Sequence, residues 1–376
     1  MIYFDTAATT YPKPEQVYKA LDNANRNLAF NAGRGEYKQS TEVFNLIEDT
    51  RKKIASLIGR KAKEVVFTSS ATESLNMIIN GISISQGDHV YVSPFEHNAV
   101  IRPLKNLQKT INFSIDILPF DKNTWLPCLE QIENEFAIKH PKAIFISHVS
   151  NVTGYLIPYK EIFKFSEKWK SINILDCSQS FGVIYPEVAF SNINYIIFAG
   201  HKSLYASFGI AGFFKLKNDE LKVIKAGGTG SDSLNPEMPY EIPYKYEAGS
   251  PNIVAIAGLN SSIEWLKNTK IKIKEDELYE YLLLKLSDIK KVIFYKPKNN
   301  KTFGVLSINV EGYSSEDVAS ILNEEYEICV RAGYHCAPLV HDFIESKEFK
   351  GTVRISFNYF NEFYEIDTLI EALNTL

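Results

Sequence analysis

The sequence has 376 residues, of which 45% are hydrophobic and 23% are charged, a profile typical of a globular protein with about two domains. Its formal net charge of −4 argues against nucleic-acid binding. No apolar run approaches the roughly 20 residues that a membrane-spanning helix needs, and the first residues lack the pattern of a signal peptide. These features predict a cytoplasmic protein with no nucleic-acid or membrane partner.

Strands and helices alternate along the first two thirds of the chain. This alternation predicts an α/β fold with a mostly parallel central sheet, helices on both faces, and a site formed by loops at the carboxyl ends of the strands. Near Asn268, Lys-rich and Glu-rich segments indicate a boundary or linker, and a smaller α/β region follows. We therefore expect a large domain at 15–267 and a small domain at 268–376, with residues 1–14 packing near the site.

The apolar strand that begins at Tyr195 ends at a glycine and then presents His201 and Lys202. Burial lowers the pKa of such an amine and leaves it nucleophilic toward an aldehyde. A second apolar strand ends at Asp176. Pyridoxal phosphate (PLP) needs this pairing, because a lysine holds its aldehyde carbon and an aspartate faces its ring nitrogen. Alone, the lysine would be interpreted as a solvated side chain in a turn.

Three other segments have both a functional and a structural interpretation. The strand, hydroxyl-rich loop and helix over 64–76 form a potential phosphate site at a helix N-terminus, or merely an N-cap at Ser70 or Thr72. His97, at a predicted helix start, could lie flat over an aromatic cofactor or be a packed histidine. Arg354, inside an apolar strand, needs an anionic partner, which is either a substrate carboxylate or a structural one.

The chain has four cysteines, whose spacing fits neither a zinc site nor a disulfide framework: Cys128, Cys177, Cys329 and Cys336. We expect reduced thiols and no metal. Cys336 differs from the others because it lies in a tight turn beside a histidine and near an arginine. Cationic neighbours favour the thiolate form of a cysteine, so this turn predicts a nucleophile. The alternative is a small buried residue in a turn.

Taken in order, these motifs resemble the cysteine desulfurases of the class V aminotransferase family, over nearly the whole chain. Each motif is weakly specific by itself, but their order is highly specific. The compact turn around Cys336 resembles the subgroup that includes selenocysteine lyases. The segments that carry the resemblance are Phe4–Thr10, Ser70–Glu73, Glu96–Asn98, Ser150–Gly154, Asp176 with Gln179, Gly200–Lys202, Glu247–Asn252, Arg331–Ala337 and Arg354.

The resemblance implies the fold of the fold type I PLP-dependent transferases and a role for each motif. It implies that Lys202 binds the cofactor covalently and acts in catalysis with His97 and Cys336, while Asp176 pairs with the ring nitrogen and His97 stacks on the ring. Further cofactor-binding residues implied in this way are Asn151, Gln179, Ala71, Thr72, His201 and Ser250. Near the turn that matches Ser250, the family often supplies a hydroxyl residue from the neighbouring subunit. The implied substrate-binding residues are Arg354, Asn151 and Ala7.

The implied activity converts L-cysteine to L-alanine and leaves the sulfur on Cys336 as a persulfide, from which an acceptor protein removes it. A homodimer is also implied. The alternatives are a selenocysteine lyase, another class V PLP aminotransferase, or a non-catalytic protein that kept the fold. Three positions depart from the family pattern: Ala199 replaces a serine, and Tyr37 and Tyr334 replace histidines. These departures bear on cofactor affinity and substrate preference.

Overall fold

A computed structural model describes residues 1–33, 35–189, 192–230, 234–298 and 301–376. In these ranges the strands are β1 (Ile2–Tyr3), β2 (Val65–Thr68), β3 (His89–Val92), β4 (Ser114–Ile117), β5 (Pro141–Ser147), β6 (Ile172–Asp176), β7 (Tyr195–Ala199), β8 (Ala211–Lys215), β9 (Val292–Tyr295), β10 (Val305–Val310), β11 (Ile328–Cys329), β12 (Arg331–Gly333) and β13 (Thr352–Ser356). The α-helices are α1 (Glu15–Asn27), α2 (Lys38–Ser56), α3 (Ala71–Gly81), α4 (Asn98–Leu107), α5 (Leu129–Ile138), α6 (Tyr159–Ser166), α7 (Ile253–Lys267), α8 (Ile271–Leu286), α9 (Ser315–Tyr326), α10 (Pro338–Phe343) and α11 (Phe363–Thr375). None of the described helices is both long and apolar enough to cross a bilayer.

The larger sheet has seven strands in the order β2-β8-β7-β6-β5-β3-β4. Strand β8 runs antiparallel to both of its neighbours, and the other adjacent pairs are parallel. The prediction of a mostly parallel central sheet is therefore confirmed. This order also brings the carboxyl ends of β5, β6 and β7 side by side. Asp176 is the last residue of β6, and Asn151 and Lys202 lie in the loops after β5 and β7.

Strand β7 shows why a long apolar run forms a strand at the centre of this sheet. Ile196 and Phe198 pack into one hydrophobic cluster, whereas Tyr195 and Ile197 pack into a second cluster on the opposite face. Successive side chains of a strand point to opposite faces, so a strand covered on both sides must be apolar throughout.

The smaller sheet has four antiparallel strands in the order β12-β13-β10-β9. Helices α8, α9 and α11 pack on it through a third hydrophobic cluster. The interpretation of the segment after Asn268 as a linker or boundary did not anticipate a helix. Residues 271–286 form α8, because Leu278, Leu282 and Leu286 supply an apolar stripe that this cluster buries.

The N-terminal segment forms a third, two-stranded sheet with β11 and continues to the Lys202 turn. Strand β1 pairs in parallel with β11, and Asp5 forms an isolated bridge with Ser356 at the end of β13. A few residues later, the Thr10 hydroxyl donates a hydrogen bond to the Lys202 carbonyl oxygen at 2.6 Å. Thr10 thus lies beside Lys202, and the packing of residues 1–14 near the site stays a prediction. The division of the chain near residue 268 stays a prediction.

Candidate active site

Lys202 lies on the turn that follows β7. The turn is tight at Gly200, where an added Cβ would come within 2.6 Å of the Ile210 carbonyl oxygen, so only glycine fits. Burial of the amine lowers the pKa of Lys202 to about 8, against an opposing effect of the Asp176 carboxylate. An amine with this pKa is partly unprotonated near neutral pH, which is what nucleophilic attack on an aldehyde requires.

A cavity opens above this lysine and brings most of the predicted site residues together. Its lining includes eight of them, namely Ala71, Thr72, His97, Asn151, Asp176, Gln179, His201 and Lys202. They come from five separate segments of the sequence, and the parallel order of the sheet makes them neighbours. Ala199 also lines this cavity and contributes no polar atom from its side chain.

Asp176 is held in a fixed orientation at the end of β6. Its Oδ1 accepts hydrogen bonds from the Ser178 backbone N–H at 2.9 Å and from the Ser178 hydroxyl at 2.5 Å. These donors share one oxygen, and no hydrogen bond among the described residues uses the other carboxylate oxygen. Ser178 was not among the predicted site residues, although a serine two residues after an aspartate is a known signal for such a local hydrogen bond.

A second buried carboxylate, Glu96, lies next to the strand end that carries Asp176. The sequence motif Glu96–Asn98 was recognised, but no separate role was predicted for Glu96. Glu96 Oε1 accepts hydrogen bonds from the Ser93 hydroxyl and from the Ser147 backbone N–H, both at 2.6 Å. Ser147 is the register partner of Asp176 on the adjacent strand. Burial raises the pKa of Glu96 to about 7. The hydrogen bonds from Ser93 and Ser147 lower this pKa, and the negative charge of Asp176 raises it.

His97 is the N-cap of helix α4 and lines the cavity, and a hydrogen bond fixes its tautomer. Its Nδ1 accepts a hydrogen bond from the Ala99 backbone N–H at 3.0 Å, so the proton of the neutral ring is on Nε2. Burial, together with the positive charge of Lys202, lowers the pKa of His97 to about 3. His97 is therefore a neutral hydrogen-bond donor at neutral pH.

The other end of the cavity has the features of an anion site. Helix α3 begins there, and Ser70 is its N-cap, with its hydroxyl accepting from the Glu73 N–H at 3.1 Å. A helix start presents N–H groups that its own backbone does not use. His201 stacks on Phe208 at a centroid distance of 4.6 Å, and its buried Nδ1 has no hydrogen-bond partner among the described residues.

Cys336 lies on a strained turn at the edge of this site. His335 and Cys336 both have left-handed backbone conformations, with φ angles of 46° and 57°. Two hydrogen bonds fix the turn to the cavity wall, from the Asn98 N–H to the Cys336 carbonyl at 2.6 Å and from Asn151 Nδ2 to the His335 carbonyl at 2.8 Å. The thiol-bearing residue is exposed.

Arg331 supplies positive charge next to this thiol, and His335 does not. The guanidinium Nη2 of Arg331 is 3.5 Å from the Cys336 sulfur. His335 is buried, and its Nε2 lies 2.9 Å from both the carbonyl and the hydroxyl oxygen of Thr352. Burial holds the pKa of His335 well below its usual value, so the ring is neutral and serves to anchor the turn.

Arg354 is paired with a structural carboxylate, which was one of the two anionic partners considered for it. The fully buried guanidinium donates from Nη2 to Asp5 Oδ1 at 2.5 Å and from Nη1 to the Asn151 carbonyl at 2.9 Å. Its Nε is buried without a partner among the described residues. The arginine is therefore already ion-paired, yet its Nε donor would be satisfied by a further acceptor.

The remaining candidates lie in different places. The Ala7 carbonyl accepts from Gln179 Nε2 at 2.9 Å, which ties the N-terminal loop to the cavity wall. Ser250 is exposed and lies in a separate groove of about 390 Å³. It does not line the cavity that contains Lys202. Tyr37 and Tyr334 are both exposed.

Comparison with known proteins identifies the family. Residues 2–369 match the class-V aminotransferase family. The chain belongs to this family. A probable cysteine desulfurase from Pyrococcus abyssi is 31% identical over 100% of this chain and 94% of its own length. One from Halalkalibacterium halodurans is 30% identical over 99% of this chain and 92% of its own length.

A solved structure agrees with this assignment. An apo structure of a cysteine desulfurase from Thermococcus onnurineus NA1 has a TM-score of 0.91 and 30% identity, covering 100% of this chain and 95% of that one. The resemblance drawn from the motifs is therefore confirmed, as is the predicted fold class.

Proposed function

We propose that this class-V aminotransferase homologue is a cysteine desulfurase, which converts L-cysteine to L-alanine and retains the sulfur as a persulfide on Cys336. The observation that carries the proposal is the placement of an exposed thiol, 3.5 Å from the Arg331 guanidinium, on a turn bonded to Asn151 in the wall of the Lys202 cavity. An amino-transfer enzyme has no use for a thiol at this place. The full-length relatives named cysteine desulfurase support the same activity.

The residues of the cavity fit PLP as the cofactor. Lys202 has an amine suited to an aldehyde, Asp176 has a carboxylate oxygen free to meet a ring nitrogen, and His97 has a neutral ring in the cavity lining. The start of α3 and the unpaired Nδ1 of His201 suit a phosphate group. When bound, PLP supplies an electron sink that weakens the bond between carbon and sulfur in the substrate.

The residues of this chain have separate roles in the proposed reaction. Arg354, through its unpaired Nε, and Asn151 bind the substrate carboxylate and orient the molecule. The Lys202 amine moves the α-proton of the substrate, and the Nε2 proton of His97 is available to the reacting groups. The thiolate of Cys336 attacks the substrate sulfur, so that a sulfur–sulfur bond forms as the carbon–sulfur bond breaks. The electron pair of the broken bond stays with the β-carbon of the substrate, which takes up a proton, and the organic product is alanine.

We propose in addition that the enzyme is a homodimer in the cytoplasm. Exposed large apolar side chains, including Phe208, Ile224 and Tyr240, lie in the segments around the groove that contains Ser250. A second copy would cover this face and place Ser250 near the cofactor of its partner. A reducing compartment suits a free thiol at Cys336, and an acceptor protein is needed to take the sulfur from it.

The experiment that tests the proposal measures alanine and sulfide released from L-cysteine by the PLP-loaded protein, with a thiol reductant to remove the persulfide. L-selenocysteine is assayed in parallel, because a selenocysteine lyase would turn over that substrate and not L-cysteine. Release of alanine and sulfide in equal amounts supports the proposal. Amino transfer to a keto acid without sulfide would identify another class-V activity instead.

A further inference from the structure

A buried tyrosine and glutamate outside the cavity connect the Lys202 turn to the smaller sheet. Tyr205 closes the turn that begins at Lys202, with its backbone N–H donating to the Lys202 carbonyl oxygen at 2.8 Å. Tyr205 has a left-handed φ of 55°, and its side chain is fully buried. Its hydroxyl donates to Glu275 Oε1 at 3.0 Å and accepts from the Tyr359 backbone N–H at 2.9 Å.

This one hydroxyl therefore joins three parts of the chain. Tyr205 belongs to the Lys202 turn, Glu275 belongs to α8, and Tyr359 follows β13, the strand that carries Arg354. This contact and the hydrogen bonds of the N-terminal loop link the Lys202 turn to the Arg354 strand. A reaction in which one residue moves a proton and the other orients the substrate is sensitive to such relative positions.

The environment of Glu275 favours its neutral form. The residue is 4% exposed, and burial raises the pKa of its carboxyl group to about 8, against the effect of its hydrogen bond from Tyr205. The other charges that act on it, Asp276 and Lys272, lie on its own helix. The Glu275 Oε2 atom packs closely against Gly304, since a Cβ added at this glycine would lie 3.1 Å from it.

A small cavity of about 20 Å³ lies next to this carboxyl group and reaches toward the active site. Its lining includes Glu275, Ser203 and Gln179, and Gln179 also lines the cavity of Lys202. A space of this size is enough for one water molecule. The neutral carboxyl group thus has a polar route to a residue of the cofactor cavity.

We propose that Tyr205 and Glu275 are positioning residues, which hold the Lys202 turn in register with the Arg354 strand through a hydrogen bond to a buried carboxyl group. This inference rests on the proposed function for its effect on turnover. Its effects on the reactivity of Lys202 and on the pH dependence of folding do not depend on which amino acid is the substrate.

Four variants test the proposal. Tyr205→Phe removes the hydroxyl, Glu275→Leu removes the acceptor, and Glu275→Gln keeps an uncharged acceptor of the same shape. Tyr91→Phe is the matched control, because Tyr91 is also a buried residue and its hydroxyl donates to the Lys139 carbonyl at 2.9 Å, away from this contact.

The first measurements follow the cofactor and the reaction at pH 7. We expect Tyr205→Phe and Glu275→Leu to slow covalent attachment of added PLP to Lys202, and to lower kcat about tenfold with little change in KM. Glu275→Gln and Tyr91→Phe should stay close to wild type. If the two disruptive variants alter only thermal stability, to the extent that Tyr91→Phe does, the positioning role is wrong.

The second measurement follows unfolding of the cofactor-free protein against pH. In the native protein Glu275 keeps its proton up to about pH 8, whereas the unfolded chain loses it near the ordinary carboxyl value of 4.5, so the native state binds more protons between these values. The free energy of unfolding should therefore fall as pH rises through this window. Glu275→Gln should remove this part of the fall.

These readouts separate the two proposals. If wild-type protein releases no alanine from L-cysteine but the attachment rates and the unfolding profile behave as expected, the proposed function fails and the positioning role stands. If Glu275→Gln keeps the full pH dependence of unfolding, Glu275 is not the neutral acid proposed here. Should Glu275→Leu fail to fold, Tyr205→Phe and Glu275→Gln still decide the matter.

Discussion

Arg331 and Arg354 lie directly opposite each other on the antiparallel strands β12 and β13. Like charges in opposed positions destabilise a sheet unless each is compensated. Asp5 compensates Arg354 at 2.5 Å, and the Cys336 sulfur lies 3.5 Å from Arg331. The pair thus concentrates positive charge between the proposed place of the substrate carboxylate and the thiol.

The contact between Arg331 and Cys336 predicts that charge at residue 331 controls the reactivity of the thiol. Arg331→Gln should slow alkylation of Cys336 by iodoacetamide at pH 7 several-fold, because the thiolate loses its nearest cation. The measurement is peptide-resolved alkylation over time. Arg26→Gln is the control, since Arg26 forms an exposed pair with Asp22. Equal alkylation rates in wild type and Arg331→Gln would contradict the prediction.

The ion pair between Asp5 and Arg354 predicts that Arg354 has a structural role in addition to its proposed substrate role. Arg354→Ala should raise KM for L-cysteine and also lower the free energy of unfolding by about 3 kcal/mol, because Asp5 keeps a partly buried charge without its partner. Denaturant unfolding and steady-state kinetics measure the two effects.

The double variant Asp5→Asn/Arg354→Ala separates these effects. It should recover part of the lost stability, because no unpaired charge remains, while its KM stays high. A double variant that restores KM as well would show that Arg354 does not bind the substrate.

The order of motifs in the sequence was sufficient to predict the fold and most of the cavity. Asp176, His97 and Lys202 follow strands whose apolar composition is recognisable locally, and parallel strands place their carboxyl ends at one edge. The missed contacts join distant residues: Asp5 meets Arg354 across 349 positions, and Tyr205 meets Glu275 across 70. No local periodicity encodes such a pair.

Helix α8 was missed for a different reason. Its first half contains Lys272, Lys274, Glu275 and Asp276, a composition typical of a solvated linker. Leu278, Leu282 and Leu286 decide the structure, because the hydrophobic cluster of the smaller sheet buries them. Tertiary packing determines a helix more strongly than its average polarity does.

The position of Lys202 predicts that it is the lysine that binds PLP covalently. Borohydride reduction of PLP-loaded protein, followed by peptide mapping, should label the peptide that contains Lys202. Lys202→Ala should lack this label and the absorbance of the covalently bound cofactor. A label on another lysine, such as the partly buried Lys13, would contradict the assignment.

Burial of the Lys202 amine also predicts a cost to folding in the cofactor-free protein. Its pKa is about 8 in the native state and the ordinary value is 10.5, so the unfolded state binds more protons between these values and stability rises with pH across that window. Below pH 8 the full penalty is present. Lys202→Met should therefore stabilise the cofactor-free protein at pH 7 by roughly 1–3 kcal/mol, with a smaller gain above pH 10. Thermal unfolding at both pH values tests this.

The last prediction separates a desulfurase from other class-V enzymes and concerns Cys336. Sulfur removal needs a nucleophile that reaches the substrate sulfur, and the other cysteines are poorly suited because Cys177 is buried and Cys128 and Cys329 are half-buried. Cys336→Ala should keep its bound PLP and still bind L-cysteine, but release almost no alanine. The Cys336→Ala variant should keep part of its turnover of L-selenocysteine, because a carbon–selenium bond is weaker than a carbon–sulfur bond.

Brief exposure of the wild-type protein to L-cysteine should add one sulfur to the peptide with Cys336, as measured by mass spectrometry. Cys128→Ala is the matched control that should still gain this sulfur. Full turnover of L-cysteine by Cys336→Ala would leave this thiol without a role in the reaction.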